Sequence, residues 1–319
     1  MLRAIVLALV LAFASQPCAA EWRPDGPVRI IVPFAAGGPS DTVARIVASE
    51  MTETLKAPVY VENISGSGGR TGVLRFLEEA KDGHTLLMGH MGTHGTAPAL
   101  TADLGYDPIL DFAPIGLAAG TPMIITVRTG LEVEDLKELE ALMRAKGPEL
   151  RVAHAGRGSV SHAGALLLSS VFKANPTLVA YGGTGPALND LIGGQVDILV
   201  DQIVNIAPAV AAKKAVPLAK VGNERSEALP DVPTTAELGL AIELDAWNAL
   251  FAKRGTPPDQ VATLSATLRD TLRSTRSRTR LLDLGAEVPD DATGTPEALG
   301  QLVRNEVARW SATLFEMRY

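Results

Sequence analysis

The chain has 319 residues, a single cysteine and a formal net charge of −7. That acidic balance and an aromatic content of only 4% argue against a nucleic-acid or acidic-membrane partner. Such a chain offers neither a phosphate-neutralising surface nor rows of stacking rings. The length is enough for a sizeable core and for two lobes.

The first twenty residues read as a targeting segment. Arg3 supplies the positive start, Ala4 to Ala14 an apolar core too short to span a bilayer, and Cys18-Ala19-Ala20 a small-residue cleavage site before Glu21. The expectation is an exported protein with the segment removed. Lipidation at Cys18 is disfavoured because Ser15-Gln16-Pro17 is a poor match to the small apolar residues such a site needs. Cleavage removes the only cysteine, so no thiol, disulfide or thiolate metal site is expected. It also removes Arg3, the segment's one charged residue, leaving a net charge of −8.

Pro27 to Ala48 comes next and organises the rest. Val28 to Val32 is a β-branched run that predicts a buried strand. Pro33 ends its pairing, Gly37-Gly38 frees the backbone, and Ser40 stands where a helix N-cap belongs. Val43, Ile46, Val47, Met51 and Leu55 then recur at helical spacing, with Asp41 suited to the positive end of the dipole. A strand, glycine loop and helix N-terminus in that order make a spot suited to an anion such as a carboxylate. The same pattern also occurs as an ordinary βα turn.

Ala57 to Asn63 predicts a second strand, Thr71 to Ala80 a helix, and Thr85 to Met88 a third strand after an Asp82-Gly83 turn. The order βαβαβ implies an open parallel sheet. Between them, Ser65 to Gly72 is glycine-rich, but Thr71 stands where a dinucleotide fingerprint needs its third glycine, and no Walker lysine follows. Gly89 to Pro98 is a second glycine-bearing loop at the C-terminal end of a strand, where open α/β sheets bind ligands. His90 and His94 have metal-pair spacing, yet Gly92 and Gly95 disfavour a helix and no carboxylate completes the set. Thr93 and His94 are candidate hydrogen-bond donors, or simply loop surface.

Met123 to Val127 is read as the strand that carries the chain into another lobe, and Val216 to Val221 as the strand that returns it. Between these lie a helix over Val133 to Met143, a strand over Arg151 to Ala155, and the loop Gly156-Arg157-Gly158-Ser159-Val160-Ser161 opening a helix. This repeats the first device, so two helix N-termini can face each other across a cleft. Arg157 adds a positive charge there or is a solvated loop residue. Thr177 to Tyr181, the turn Gly182 to Pro186, a helix to Ile192 and the strand Val196 to Val200 follow. Asp201 then sits at a strand end, placed to accept from a ligand amine, to hold a donor, or to cap the next helix. Ala246 to Ala252 is a further strand with Trp247 near the cleft mouth, and Gln260 to Thr275 and Pro296 to Leu314 are helices. The arginines from Arg269 to Arg280 read as a solvated helix face.

Enzymatic readings find little support. There is no Gly-x-Ser-x-Gly elbow and no zincin pattern among the five histidines. A hydrolase would have to rest on Ser159 or Ser161 with His162, and sequence neighbours rarely reach catalytic geometry.

The motifs resemble those of the periplasmic substrate-binding proteins of tripartite tricarboxylate transporters, the TctC or Bug family. The resemblance rests on Val32-Pro33-Phe34 with Gly37-Gly38 and Ser40-Asp41 to Arg45, Asp82 to Leu86, Tyr181 to Ala187, Leu191 to Asp197, Leu229 to Thr234 and Gly255 to Pro258. It implies an α/β fold of type II periplasmic binding protein, with two lobes around a central ligand cleft. By that resemblance residues 21–123 plus 225–319 form one lobe and 124–224 the other. It implies a binding protein rather than an enzyme, without a cofactor or metal, that holds a di- or tricarboxylate or an aromatic acid between βα loops. Carried over by position, the contacts are Phe34, Ala36, Gly37, Gly38, Ser40 and Asp41 from one loop, and Gly156, Arg157, Ser159 and Ser161 from the other. Thr93, His94, Thr184 and Asp201 complete the wall. Arg157 departs from the small residue expected in its loop. The implied setting is a monomer in the periplasm that presents its ligand to membrane permease subunits, or alternatively to a sensor kinase.

Overall fold

The computed structural model describes residues 22–80, 83–240 and 242–316. The targeting segment, Cys18 and the Asp82 half of the predicted turn lie outside the described residues.

In chain order the strands are β1 (Val28–Val32), β2 (Val59–Asn63), β3 (Thr85–His90), β4 (Phe112–Gly120), β5 (Met123–Arg128), β6 (Arg151–His154), β7 (Thr177–Ala180), β8 (Ile198–Gln202), β9 (Ala215–Lys220) and β10 (Trp247–Lys253). The helices are α1 (Pro39–Leu55), α2 (Arg70–Glu79), α3 (Ala97–Leu100), α4 (Leu136–Lys146), α5 (Val160–Val171), α6 (Thr184–Ile192), α7 (Ile203–Ala211), α8 (Pro258–Arg273), α9 (Thr275–Asp283) and α10 (Pro296–Glu316).

Two five-stranded sheets result, ordered β2-β1-β3-β10-β4 and β7-β6-β8-β5-β9. In the first, β2, β1 and β3 run parallel and β10 pairs antiparallel with both β3 and β4. The second repeats the scheme, with β7, β6 and β8 parallel and β5 antiparallel to β8 and β9. The parallel βαβαβ expected from sequence is therefore one half of a mixed sheet, and the antiparallel strand arrives from far along the chain. Each sheet receives its antiparallel strand from a crossing of the chain. Thr121-Pro122 leads from β4 into β5, and the segment after β9 leads back to β10. The crossings touch where Thr121 N–H donates to Ala246 C=O at 2.8 Å.

β1 is an interior strand of its sheet, between β2 and β3, and covered on both faces. Val28, Ile30, Ile31 and Val32 are fully buried, as a parallel strand under helices requires. Burying side chains of this kind contributes roughly 1.5–3 kcal/mol each. Arg29, the single charge in the run, is neutralised by Glu62 at 3.0 Å and Glu79 at 2.7 Å. α1 buries the predicted face, Val43, Ile46, Val47, Met51 and Leu55. β7, at the sheet edge, leaves Thr177 and Ala180 exposed.

Candidate functional site

The loop after β1 turns at Gly37, whose φ of +80° suits glycine. The helix then begins earlier than sequence suggested. Gly38 is the N-cap and Pro39 occupies the first turn, where its fixed φ is pre-organised and its missing N–H is not needed. Ser40 is consequently not the cap. Its hydroxyl donates to Asn248 Oδ1 at 2.6 Å. Asp41 is buried and holds the loop together, accepting from Gly37 N–H, Arg45 Nε and Asn63 Nδ2, each at 3.0 Å. Burial alone would raise its pKa, but the hydrogen bonds from Arg45, Gly37 and Asn63 outweigh it and hold the carboxylate below its ordinary range.

In the second sheet the loop after β6 turns at Gly156 and Gly158, with φ of +95° and +87°. Ser159 caps α5, accepting from His162 N–H at 3.2 Å and donating to Gly156 C=O at 2.7 Å. Ser161 Oγ accepts from Ala155 N–H at 2.9 Å. The two hydroxyls lie 3.2 Å apart. Ser159 meets His162 through that residue's backbone N–H.

α6 and α7 add two more helix starts, at Thr184 and at Gln202, the latter the N-cap of α7. All four starts border one cavity. Phe34, Gly38, Pro39, Ser40 and His90 line it from the first sheet, and Ala155, Ser159, Val160, Ser161, Thr184, Asp201 and Gln202 from the second. The glycine loops meet beside it. A Cβ on Gly185 would stand 2.7 Å from Gly37 C and 2.9 Å from Gly38 N, and one on Gly68 would overlap Arg157 C=O at 1.9 Å. Ala35 N–H also donates to Gly182 C=O at 3.0 Å. The glycine-rich stretch Ser65 to Gly72 thus serves a close backbone approach between loops of the two sheets.

Seven of the sequence-selected residues line the cavity: Phe34, Gly38, Ser40, Ser159, Ser161, Thr184 and Asp201. The others lie elsewhere. Ala36 and Gly37 border an outer groove with Gly185 and Asn205. Gly156 shapes the loop. Arg157 is exposed, and its Nε donates to Leu100 C=O at 2.9 Å. Thr93 and His94 are buried rather than on a loop surface. Residues 92–96 form one wide helical turn despite two glycines, which winds the His94 ring onto Phe251 at 4.1 Å. Thr93 Oγ1 lies 2.8 Å from His94 Nδ1. Trp247, expected near the cleft mouth, is buried on β10.

Pro39, His90, Ala155, Val160 and Gln202 also line the cavity, outside the sequence-selected set, and His90 and Gln202 bring the polar side chains. β3 runs two residues past its predicted end, which carries His90 to the cavity. Its Nδ1 accepts from Gly92 N–H at 2.6 Å, so the neutral ring keeps its proton on Nε2. The ring stacks on Phe34 at 4.6 Å. Burial lowers its pKa to about 4. Gln202 follows Asp201 directly, and the rule that ligands sit at C-terminal strand ends applied to both. Its Oε1 accepts from Thr121 Oγ1 at 2.6 Å and from Asn248 Nδ2 at 2.8 Å.

Asp201 is fully buried on the cavity wall. Its Oδ2 accepts from Asn205 Nδ2 at 2.6 Å, while Oδ1 has no hydrogen-bond partner. It is not the cap of α7, which Gln202 provides. Burial pushes its pKa up to about 6, against the pull of Asn205, the Gln202 N–H and Thr184.

Residues 43–318 match the family described as the tripartite tricarboxylate transporter family receptor. Among solved structures, the chain is similar to MatC from Rhodopseudomonas palustris with bound malate, at 45% identity and a TM-score of 0.89, covering 91% of this chain and 99% of that one. It is also similar to the periplasmic binding protein BugD, at 36% identity and a TM-score of 0.89, over 92% and 98% of the two chains. Rpa4515 from R. palustris, solved with adipate, is 30% identical with a TM-score of 0.86, over 92% and 97%.

Proposed function

The chain belongs to the tripartite tricarboxylate transporter receptor family, and from that premise we propose that it captures a small carboxylate in the cavity between its sheets and delivers it to a membrane permease. The observation that carries this reading is the convergence of four helix N-termini on one cavity. Each presents free N–H groups and a positive partial charge, so together they suit an anion without a formal cation. MatC with malate and Rpa4515 with adipate place carboxylates in similar proteins.

The ligand sits between lobes formed by residues 21–123 plus 225–319 and by residues 124–224. Phe34, Gly38, Ser40, Ser159, Ser161, Thr184 and Asp201 contact it, together with His90 and Gln202. Closure is favoured because the loops of both lobes touch the anion only when they are together. The protein performs no chemistry on the ligand. It works in the periplasm after export. Among the described residues no helix is long and apolar enough to cross a membrane.

A thermal-shift screen of the mature chain against dicarboxylates, citrate, acidic amino acids and aromatic acids tests the proposal. A ligand at a hundred times its Kd adds about 2.7 kcal/mol of stability. A hit that is recovered chemically unchanged supports it, and a flat response to every acid overturns it.

A further inference from the structure

The cavity's wall is rich in donors. It has four helix starts and the His90 ring beside Phe34, while the Ser40 and Ser159 hydroxyls are already given to Asn248 and to Gly156 C=O. Against these stands one carboxylate oxygen, Asp201 Oδ1, fully buried and without a hydrogen-bond partner. An anionic ligand alone leaves that oxygen worse off, because it adds like charge and brings no proton. A buried acceptor left bare is costly, and the deficit is met by a donor that arrives with the ligand.

We propose that Asp201 is the selector of this cavity, admitting short carboxylates that carry a hydroxyl in preference to those that lack one. The inference rests on the proposal that the cavity takes a carboxylate. The hydroxyl donates to Asp201 Oδ1, while the carboxylate takes the N–H groups of the helix starts. Oδ2 stays with Asn205, whose amide holds the side chain in place at 2.6 Å. An ammonium is the weaker alternative. It is repelled by the positive ends of the same four helices, and it brings three N–H groups to a wall short of acceptors.

The test is titration calorimetry of the full mature chain with L-malate, succinate, 2-fluorosuccinate, L-aspartate and adipate. Fluorine is close to a hydroxyl in size but cannot donate. A donor to a charged acceptor is worth about tenfold to a hundredfold in affinity. Malate is expected to outbind succinate and 2-fluorosuccinate by that factor. In Asp201→Asn the oxygen stays with Asn205 and an NH₂ faces the cavity, so the preference falls to within about threefold. Equal wild-type affinity for malate and succinate overturns the inference while leaving the carboxylate reading intact. So does tighter binding of aspartate than of malate, or a preference unchanged in Asp201→Asn. Failure of all five acids overturns the inference, and a flat response to citrate and the aromatic acids as well overturns the carboxylate reading itself. If Asp201→Asn does not fold, the wild-type comparison with 2-fluorosuccinate decides alone.

Discussion

Ser40 Oγ donates to Asn248 Oδ1 at 2.6 Å across 208 positions of sequence, tying the first turn of α1 to β10. Asn248 passes the connection on. Its Nδ2 donates to Gln202 Oε1 at 2.8 Å and to Thr121 Oγ1 at 3.2 Å. One polar chain therefore joins the cavity wall, both sheets and the crossing at Thr121.

Ser40→Ala leaves Asn248 Oδ1 buried with its donor gone. The expected loss is about 1–3 kcal/mol of folding stability, read as a lower midpoint in urea unfolding at unchanged slope. This exceeds the effect of a surface serine, which stays within about 0.5 kcal/mol. A midpoint equal to that of wild type would show that Oδ1 finds another partner and that Ser40 has no structural role.

Stability should depend on pH through two opposed sets of groups. Burial lowers the pKa of His90 and His162 to about 4 and of His94 to about 3, from an ordinary 6.5. The unfolded chain then binds more protons, so stability is lost as pH falls from 6.5 toward 4. Asp201 runs the other way. Its folded pKa of about 6 stands above the ordinary 3.8, so its burial destabilises the fold increasingly as pH rises through that window. The difference amounts to about 3 kcal/mol above it. Asp201→Asn removes only the second effect. The variant should match wild type near pH 4 and exceed it near pH 7, as measured by unfolding at both pH values. A gap independent of pH would contradict this assignment.

Gly185→Ala tests the contact between loops. Gly185 has no need of a left-handed backbone, so the change acts through space alone. Its Cβ would press on Gly37 and Gly38. The expected result is a cleft that closes incompletely, with ligand affinity at least tenfold lower and a larger radius of gyration in the presence of ligand. Wild-type affinity would mean that the loops shift apart without consequence for closure.

The sequence made the two-lobe plan and half of the cavity legible because those parts rest on local signals. β-branched runs mark β1 and β8, and Gly37 and Gly156 mark the turns. Other features depend on distant partners. With Pro39 in the first helical position, the cap falls on Gly38, two residues before Ser40. No local pattern could reveal that Ser40 answers to Asn248, or that β10 inserts beside β3. His94 looked like a loop residue because its glycines suggested exposure. Its burial follows from Phe251, which lies far along the chain. Arg157 drew attention by its charge, while its actual engagement is with a carbonyl, an acceptor that every residue carries.

The four helix starts around the cavity have a consequence beyond attraction. They are like poles of four magnets brought together, each with about half a positive charge. In an empty cleft they push one another apart, and the glycine contacts between loops must hold against that force. An anion placed among them turns the repulsion into cohesion. The shape of the molecule thus becomes a report on whether the cleft is filled, legible to any membrane partner that grips both lobes at once.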